Sequence, residues 1–317
     1  MKLKKAPNFS EFDVVILHST QELKTQALKI LVTKMSGART RFVVYTHIWI
    51  SHSKQDPLHR LLYSMVDEVW CGSESSKRDL ERMLPLSPAQ IRVVRYGRRV
   101  TEIRSSLLSR DEARHRLQIP QDLTVVGTMS RVDRGKGSRE LFQSVTELMQ
   151  ENRDLFLLMI GPPTASDPKA IQLDTEIESQ IQALEPSVRN RVRKVGRLEN
   201  GSQFLRAFDL FVLATYKENF ALSLLDALLA EVPCLATDSG GSPDVVIAGR
   251  TGWLFKPESK DELTTALKQA LADRTQWSNR GQAGREWVEK NYDFETVIET
   301  IELALHSLVE TSNLSTP

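Results

Sequence analysis

Residues 209–241 read DLFVLATYKENFALSLLDALLAEVPCLATDSGG, and they decide the architecture. Leu210 to Leu213 is apolar at every position, the composition of a strand buried on both faces. A polar turn, Thr215-Tyr216-Lys217-Glu218-Asn219, breaks the run. From Phe220 to Ala230 apolar residues fall at 220, 224, 225, 228 and 229, the spacing of one helix face. Pro233-Cys234-Leu235-Ala236 is a second strand, and a Gly240-Gly241 turn follows it. Strand, loop, helix and strand at this length make one βαβ unit, whose two strands run parallel. The polar turn then stands at the carboxyl end of a strand, where open α/β sheets take their ligands. The free N–H groups at the start of the helix suit a phosphate.

Working outward, the same alternation recurs. Leu123 to Val126 is a strand, and Gly127 opens the stretch GTMSRVDRGKGSRELFQSV, with a helix expected from Ser138 to about Glu151. Leu155 to Ile160 is a further apolar strand, 168–184 a helix with a polar face, and Val192 to Val195 a short strand running into Gly196-Arg197-Leu198. Helices are expected over 259–273, 276–291 and 294–309. Nearer the amino terminus, strands at 13–18, 41–46, 68–71 and 91–94 alternate with helical patterns at 21–34, 57–65 and 76–83. Residues 98–120 form the crossing between halves, with a short helix at 111–117 capped by Ser109. Apolar strands alternating with helices throughout argue for parallel sheets covered on both faces.

Two pairs of residues give this frame a chemistry. Glu218 lies in the polar turn and Asp226 in the helix eight positions on. Arg131 and Lys136 share one loop, in which Gly135 and Gly137 let backbone come close. KENFALSLLDALLAEVPCLATDSGG (217–241) resembles the signature of retaining, two-domain (GT-B) glycosyltransferases of family 4, and the Arg131–Lys136 loop resembles the second signature of that family. Further on, Asp244 stands where that family usually has Glu. DVVILHS, YTHIW, CGSESS and RYGRR follow one another as the corresponding amino-terminal segments do in the family. The sequence departs from the pattern at Asp226 for Glu, Ala221 for Gly, Glu231 for the Gly before Pro, and Ala214-Thr215 for Pro-Ser.

The resemblance implies an α/β fold of two Rossmann-like domains (GT-B), and with it a set of roles. Arg131 and Lys136 reach the diphosphate of a nucleoside-diphosphate sugar. Glu218 touches hydroxyls of the donor sugar, and Asp226 holds the ribose. The backbone of Gly196 and Leu198 reads the base, and Asn219, Phe220, Ala221 and Leu222 form the helix start that faces the donor. His47, ending the second strand beside Trp49, inherits a place near the reacting sugar. His18, His52 and His59 carry no comparable argument. Residues 1–108 are then the acceptor-side domain, 109–292 the nucleotide-sugar domain, and 293–317 a helix packing back across the domains. Residues 1–12, MKLKKAPNFSEF, cannot supply the strand and Gly-Gly loop that begin the family's first domain. That domain is expected to be shortened, either by nature, by truncation, or because a partner chain completes it.

The 317 residues, 40% hydrophobic and 26% charged, suit a soluble globular chain of about two domains. Residues 1–108 carry 18 Lys and Arg against 10 Asp and Glu, a balance of +8, while the rest carries 24 against 31, or −7. The basic half suits an anionic partner: a membrane surface met peripherally, a phosphorylated lipid carrier or an anionic glycan. Aromatic residues are few and not interleaved with the basic ones, which speaks against nucleic acid. Cys71 and Cys234 lie in apolar strand runs and read as core residues of a reducing compartment. No apolar run is long enough to span a bilayer, and Pro7-Asn8-Phe9-Ser10-Glu11 follows the early lysines where a signal peptide would have its apolar core. A cytoplasmic location is expected. No Asp-x-Asp pair occurs, so no catalytic metal and no cofactor beyond the donor substrate are expected. The expected reaction is retaining sugar transfer to a glycan or lipid-linked acceptor. The alternatives are a non-catalytic or split subunit, and a sugar-nucleotide epimerase that forms product without an acceptor.

Overall fold

The computed structural model describes residues 8–47, 50, 52–216 and 218–313. Trp49, Lys217 and the early lysines Lys2, Lys4 and Lys5 lie outside the described residues. The chain forms two compact units, Met1–Gly97 with Glu295–Pro317, and Arg98–Phe294.

In the first unit, strands β1 (Val14–Leu17), β2 (Arg41–Thr46), β3 (Glu68–Cys71) and β4 (Ile91–Val93) lie in sequential order, all parallel. Helices α1 (Thr20–Met35), α2 (Pro57–Tyr63) and α3 (Glu74–Met83) connect them. Each begins at a side-chain cap: Ser19, Asp56 and Ser73 accept backbone N–H groups of the first turn. Successive residues of β2 serve opposite faces, as the pleat requires. Phe42 and Val44 pack with Leu23 and Ile30 of α1 and Leu62 of α2. Val43 packs with Trp70, Val94, Ala304 and Leu308, the last two from the carboxyl-terminal helix. Among the described residues, β1 pairs only with β2.

The second unit opens with α4 (Val100–Ser106) and α5 (Arg110–Leu117). The sequence reading closed the first domain at 108, yet Leu108 N–H donates to Gln203 O at 3.0 Å and Arg98 pairs with Asp226, so residues 98–108 belong here. Six parallel strands follow: β5 (Thr124–Met129), β6 (Leu155–Ile160), β7 (Val192–Val195), β8 (Leu210–Leu213), β9 (Cys234–Thr237) and β10 (Gly252–Phe255). The connecting helices are α6 (Ser138–Leu148), α7 (Pro168–Ala183), α8 (Pro186–Arg189), α9 (Leu222–Leu229) and α10 (Ser242–Val245). Then come α11 (Lys260–Ala272), α12 (Trp277–Tyr292) and α13 (Phe294–Asn313), whose later turns cover the first sheet.

The strand order is β10-β9-β8-β5-β6-β7. The chain therefore winds outward from β5 through β6 and β7, returns beside β5 as β8, and winds the other way. That reversal leaves a crevice at the carboxyl ends of β5 and β8, the switch point of a doubly wound sheet. Arg114 fixes the two strands at their other ends. Fully buried, its guanidinium donates to Asp209 Oδ2 at 2.6 Å, and Asp209 also accepts the Val125 N–H at 2.7 Å.

Candidate active site

The loops that leave β5 and β8 carry the residues singled out in the sequence. After Met129 the chain passes through Arg131 into a single turn over Arg134–Lys136, capped by Asp133, whose Oδ1 accepts the Lys136 N–H at 3.0 Å. After Leu213 it passes through Ala214–Tyr216 to Glu218. The loops are tied together: Tyr216 N–H donates to Gly135 O at 2.9 Å, and Tyr216 Oη donates to Glu140 at 2.6 Å. Burial first, then that carboxylate, pushes the Tyr216 phenol up to about 12. Thr237 and Ser239 hydroxyls donate to the carbonyls of Thr215 and Tyr216.

This stitching brings Lys136 Nζ to 2.5 Å from Glu218 Oε2, each side chain about one-fifth exposed. Strand order unites residues 82 positions apart. Glu218 is held from behind by the glycine turn, for Gly241 N–H donates to its carbonyl at 3.0 Å. Gly240 has φ +57°, and a Cβ there would lie 1.6 Å from the same oxygen; only glycine fits. Arg131 is exposed and makes no ion pair among the described residues.

Helix α9 begins at Leu222, two residues later than the apolar spacing suggests, with Ala221 as a cap that offers no side-chain bond. Residues 219 and 220 are held against Gly241 instead, and Phe220 is buried against Tyr292 with ring centroids 5.8 Å apart. Asp226 faces Arg98 in a two-pronged pair, Nε to Oδ1 at 2.6 Å and Nη2 to Oδ2 at 2.7 Å. Burial raises its carboxyl above the ordinary value, against the opposing pull of Arg98. Both oxygens are thus engaged, and a ribose hydroxyl there would share them with the guanidinium. Gly196 is exposed with open space about it, and Leu198 is half-buried at the end of β7.

In the first unit, His47 follows β2 directly and is joined to two residues that the sequence reading did not select. Its Nε2 lies 2.9 Å from His18 Nδ1, and its Nδ1 lies 2.7 Å from Tyr96 Oη. Burial, with His18 second, lowers the affinity of His47 for a proton, while Glu22 opposes them. His18 follows β1 as His47 follows β2, and that shared place at a strand's carboxyl end was the one signal that could have paired them. Among the described residues no group of three or more His, Cys, Asp and Glu side chains is placed to hold a metal ion.

The profile of the glycosyl transferases group 1 family matches residues 109–287, the stretch that contains Arg131, Lys136, Glu218 and Asp226. The N-acetyl-alpha-D-glucosaminyl L-malate synthase of Bacillus anthracis is 30% identical over 122 residues, 38% of this chain and 32% of that protein. The D-inositol 3-phosphate glycosyltransferase of Corynebacterium kroppenstedtii is 28% identical over 212 residues, 65% of this chain and 46% of that protein. The chain thus spans less than half the length of these curated relatives. Among solved structures, Anabaena Alr3699/HepE in complex with UDP is similar with a TM-score of 0.77 at 20% identity, covering 94% of this chain and 79% of that one.

Proposed function

The chain belongs to the group 1 glycosyl transferases, and from that premise we propose that it moves a sugar, with retention and without a metal ion, from a nucleoside-diphosphate sugar to a glycan or lipid-linked acceptor. The observation that carries the reading is the Lys136–Glu218 pair at the switch point of the six-stranded sheet. In the free protein the two charges satisfy each other. An entering donor divides them: its diphosphate takes the Lys136 ammonium, with Arg131 alongside, and the sugar hydroxyls take the Glu218 carboxylate. Negative charge grows on the diphosphate as the glycosidic bond breaks, and a cation already in place stabilises that transition state more than the ground state. A phosphate oxygen of the leaving group accepts the acceptor's proton. The similar Anabaena structure holds UDP, which makes uracil the first base to try.

The test is a thermal-shift panel of UDP, GDP, ADP, TDP and their glucose derivatives. Ligand at about a hundred times its dissociation constant adds about 2.7 kcal/mol of stability. One base family should raise the melting temperature, and Arg131→Ala should remove the rise. A folded chain that no nucleotide stabilises would end the proposal of an autonomous enzyme.

A second reading, a subunit completed by a partner chain, is favoured by the first unit. Strand β1 pairs on one side only among the described residues, and α1 turns Leu28, Leu31, Val32 and Met35 to solvent. The basic balance of residues 1–108 favours an anionic acceptor or peripheral contact with a membrane; no helix among the described residues is long and apolar enough to cross one. Co-purification of a second chain with nucleotide-dependent activity only in the complex would establish the subunit reading.

A further inference from the structure

A cavity of about 300 Å³ opens in the second unit between the first turn of α6 and the opening turns of α7. On α7 its wall is the stripe Lys169, Gln172, Leu173 and Glu176, spaced as one helix face. Opposite stand Arg139 and Glu140 of α6, with Arg134 from the turn that precedes that helix. The charges here are unevenly satisfied. Glu176 has both oxygens engaged, one by Arg139 and the other by Gln172 Nε2 at 2.9 Å. Arg134 and Lys169 are exposed, and their side chains make no hydrogen bond or ion pair among the described residues. Glu140 Oε1 accepts the Tyr216 hydroxyl at 2.6 Å, while Glu140 Oε2 is buried with no partner among the described residues. We propose that this cavity binds a small phosphate monoester that also carries a hydroxyl group. Arg134 and Lys169 take the phosphate, Glu140 Oε2 accepts from the hydroxyl, and occupancy raises nucleotide affinity through Tyr216.

The unsatisfied groups define the ligand. Two free cations call for about two negative charges, which a phosphate brings together with three acceptor oxygens and a carboxylate does not. The orphaned carboxylate oxygen calls for a donor, since a buried acceptor left unbonded is costly. An ammonium would donate as well, but it would face Arg134, Arg139 and Lys169; a hydroxyl donates without adding charge. The volume stands at the lower end of small-molecule sites and suits a ligand smaller than a nucleotide sugar.

Glu140 is also the outer end of a chain of bonds that leads to the Lys136–Glu218 pair. Tyr216 joins Glu140 through its hydroxyl and Gly135 O through its N–H at 2.9 Å, and Gly135 precedes Lys136. Arg134 and Glu140 act on the Tyr216 phenol in opposite senses, the cation lowering its proton affinity and the carboxylate raising it. A ligand that satisfies Glu140 therefore favours the arrangement in which both loops are joined. By linkage, UDP must tighten that ligand by the same factor as the ligand tightens UDP. This effect on UDP rests on the transferase reading above; the binding of the phosphate does not.

The test is calorimetric titration of the full chain with glycerol 3-phosphate, inorganic phosphate and glycerol, each with and without saturating UDP. Glycerol 3-phosphate should bind, inorganic phosphate about tenfold more weakly for want of the hydroxyl, and glycerol not at all. UDP should tighten glycerol 3-phosphate about fivefold or more. Lys169→Gln should weaken glycerol 3-phosphate about tenfold and leave UDP affinity unchanged, with Arg134→Gln as a second exposed variant. Glu140→Gln should bring glycerol 3-phosphate down to the level of inorganic phosphate. Tyr216→Phe should keep the binding and lose the coupling to UDP. Absence of binding, or binding indifferent to Lys169→Gln and Glu140→Gln, would overturn the site. Binding that UDP displaces and Arg131→Ala weakens would overturn it too, by placing the phosphate at the donor loop. Coupling that is absent, or that survives Tyr216→Phe, would overturn the route through Tyr216. If UDP itself does not bind, the transferase reading and the coupling fall together, while Lys169→Gln and Glu140→Gln still decide the cavity.

Discussion

At the scale of single residues, the site is a set of charges that wait on each other. Glu218→Gln keeps the shape of the side chain and releases Lys136, so nucleotide affinity should hold or rise. Turnover of the nucleotide sugar should fall by about 10²–10³, the usual cost of deleting one preorganised polar group. Calorimetric titration beside a rate assay separates the two, and equal losses of affinity and rate would mean that Glu218 serves binding alone. His47 makes a second prediction. Its proton affinity in the fold is below the ordinary value of 6.5, so the unfolded chain binds more protons between the two values. Stability should therefore decline as pH falls below about 6.5, and His47→Gln should flatten that part of a melting-temperature curve. Part of this could be read in the sequence: Arg131, Lys136 and Glu218 were singled out by their resemblance to two family signatures, and the structure brings Lys136 and Glu218 together. The Arg98–Asp226 pair spans 128 positions, and no periodicity or motif announces which arginine a buried aspartate will meet. His18 was passed over because a histidine's hydrogen bonds are set by neighbouring strands, not by neighbouring residues.

Elements placed those residues. Buried strands were the clearest signal, and β2, β3, β6 and β8 have the bounds read for them in the sequence, as does the half-buried β7. Where element ends moved, local chemistry accounts for it. Strand β9 begins at Cys234 and not Pro233, since proline has no N–H for the ladder. Strand β5 runs through Gly127 and Thr128, which pair with Leu158 and Met159, although the glycine reads as a break. Helix α4 left little trace, having seven residues and no side-chain cap. The late start of α9 follows from the glycine turn behind it, and that turn carries a prediction. Gly240→Ala places a methyl group into the Glu218 carbonyl at a left-handed residue and should cost about 2–4 kcal/mol in urea unfolding, with loss of nucleotide binding. Gly249 has φ +77° but nothing within 4 Å, so Gly249→Ala should cost about 1 kcal/mol and leave binding intact. Equal costs at the two positions would show that backbone strain, and not the contact with Glu218, makes Gly240 necessary.

For the whole molecule, the alternation of strands and helices showed two α/β halves, while the return of the last helix was expected from the resemblance alone. The first unit is discontinuous: residues to Gly97 form its sheet, and Glu295–Pro317 return to it after the entire second unit. One face of the four-stranded sheet is covered by the helices between its own strands. The other is covered at Val43, Trp70 and Val94 by Ala304 and Leu308 of α13. No pattern within α13 names that partner, because an amphipathic helix records that it has a buried side and not which sheet it meets. The arrangement makes the first unit dependent on a helix more than 200 residues from its last strand, whereas the second unit holds Lys136, Glu218 and Asp226 within one continuous stretch. Leu308→Asp, which puts a charge into that buried face, should cost the first unit about 3 kcal/mol or more. Hydrogen exchange should then quicken in β2, β3 and β4 while β5, β6 and β8 stay protected, and UDP should still slow exchange in the loops that carry Lys136 and Glu218. If protection is instead lost in both sheets at once, the two units unfold as one, and the loops that carry Lys136 and Glu218 depend on the first unit for their stability.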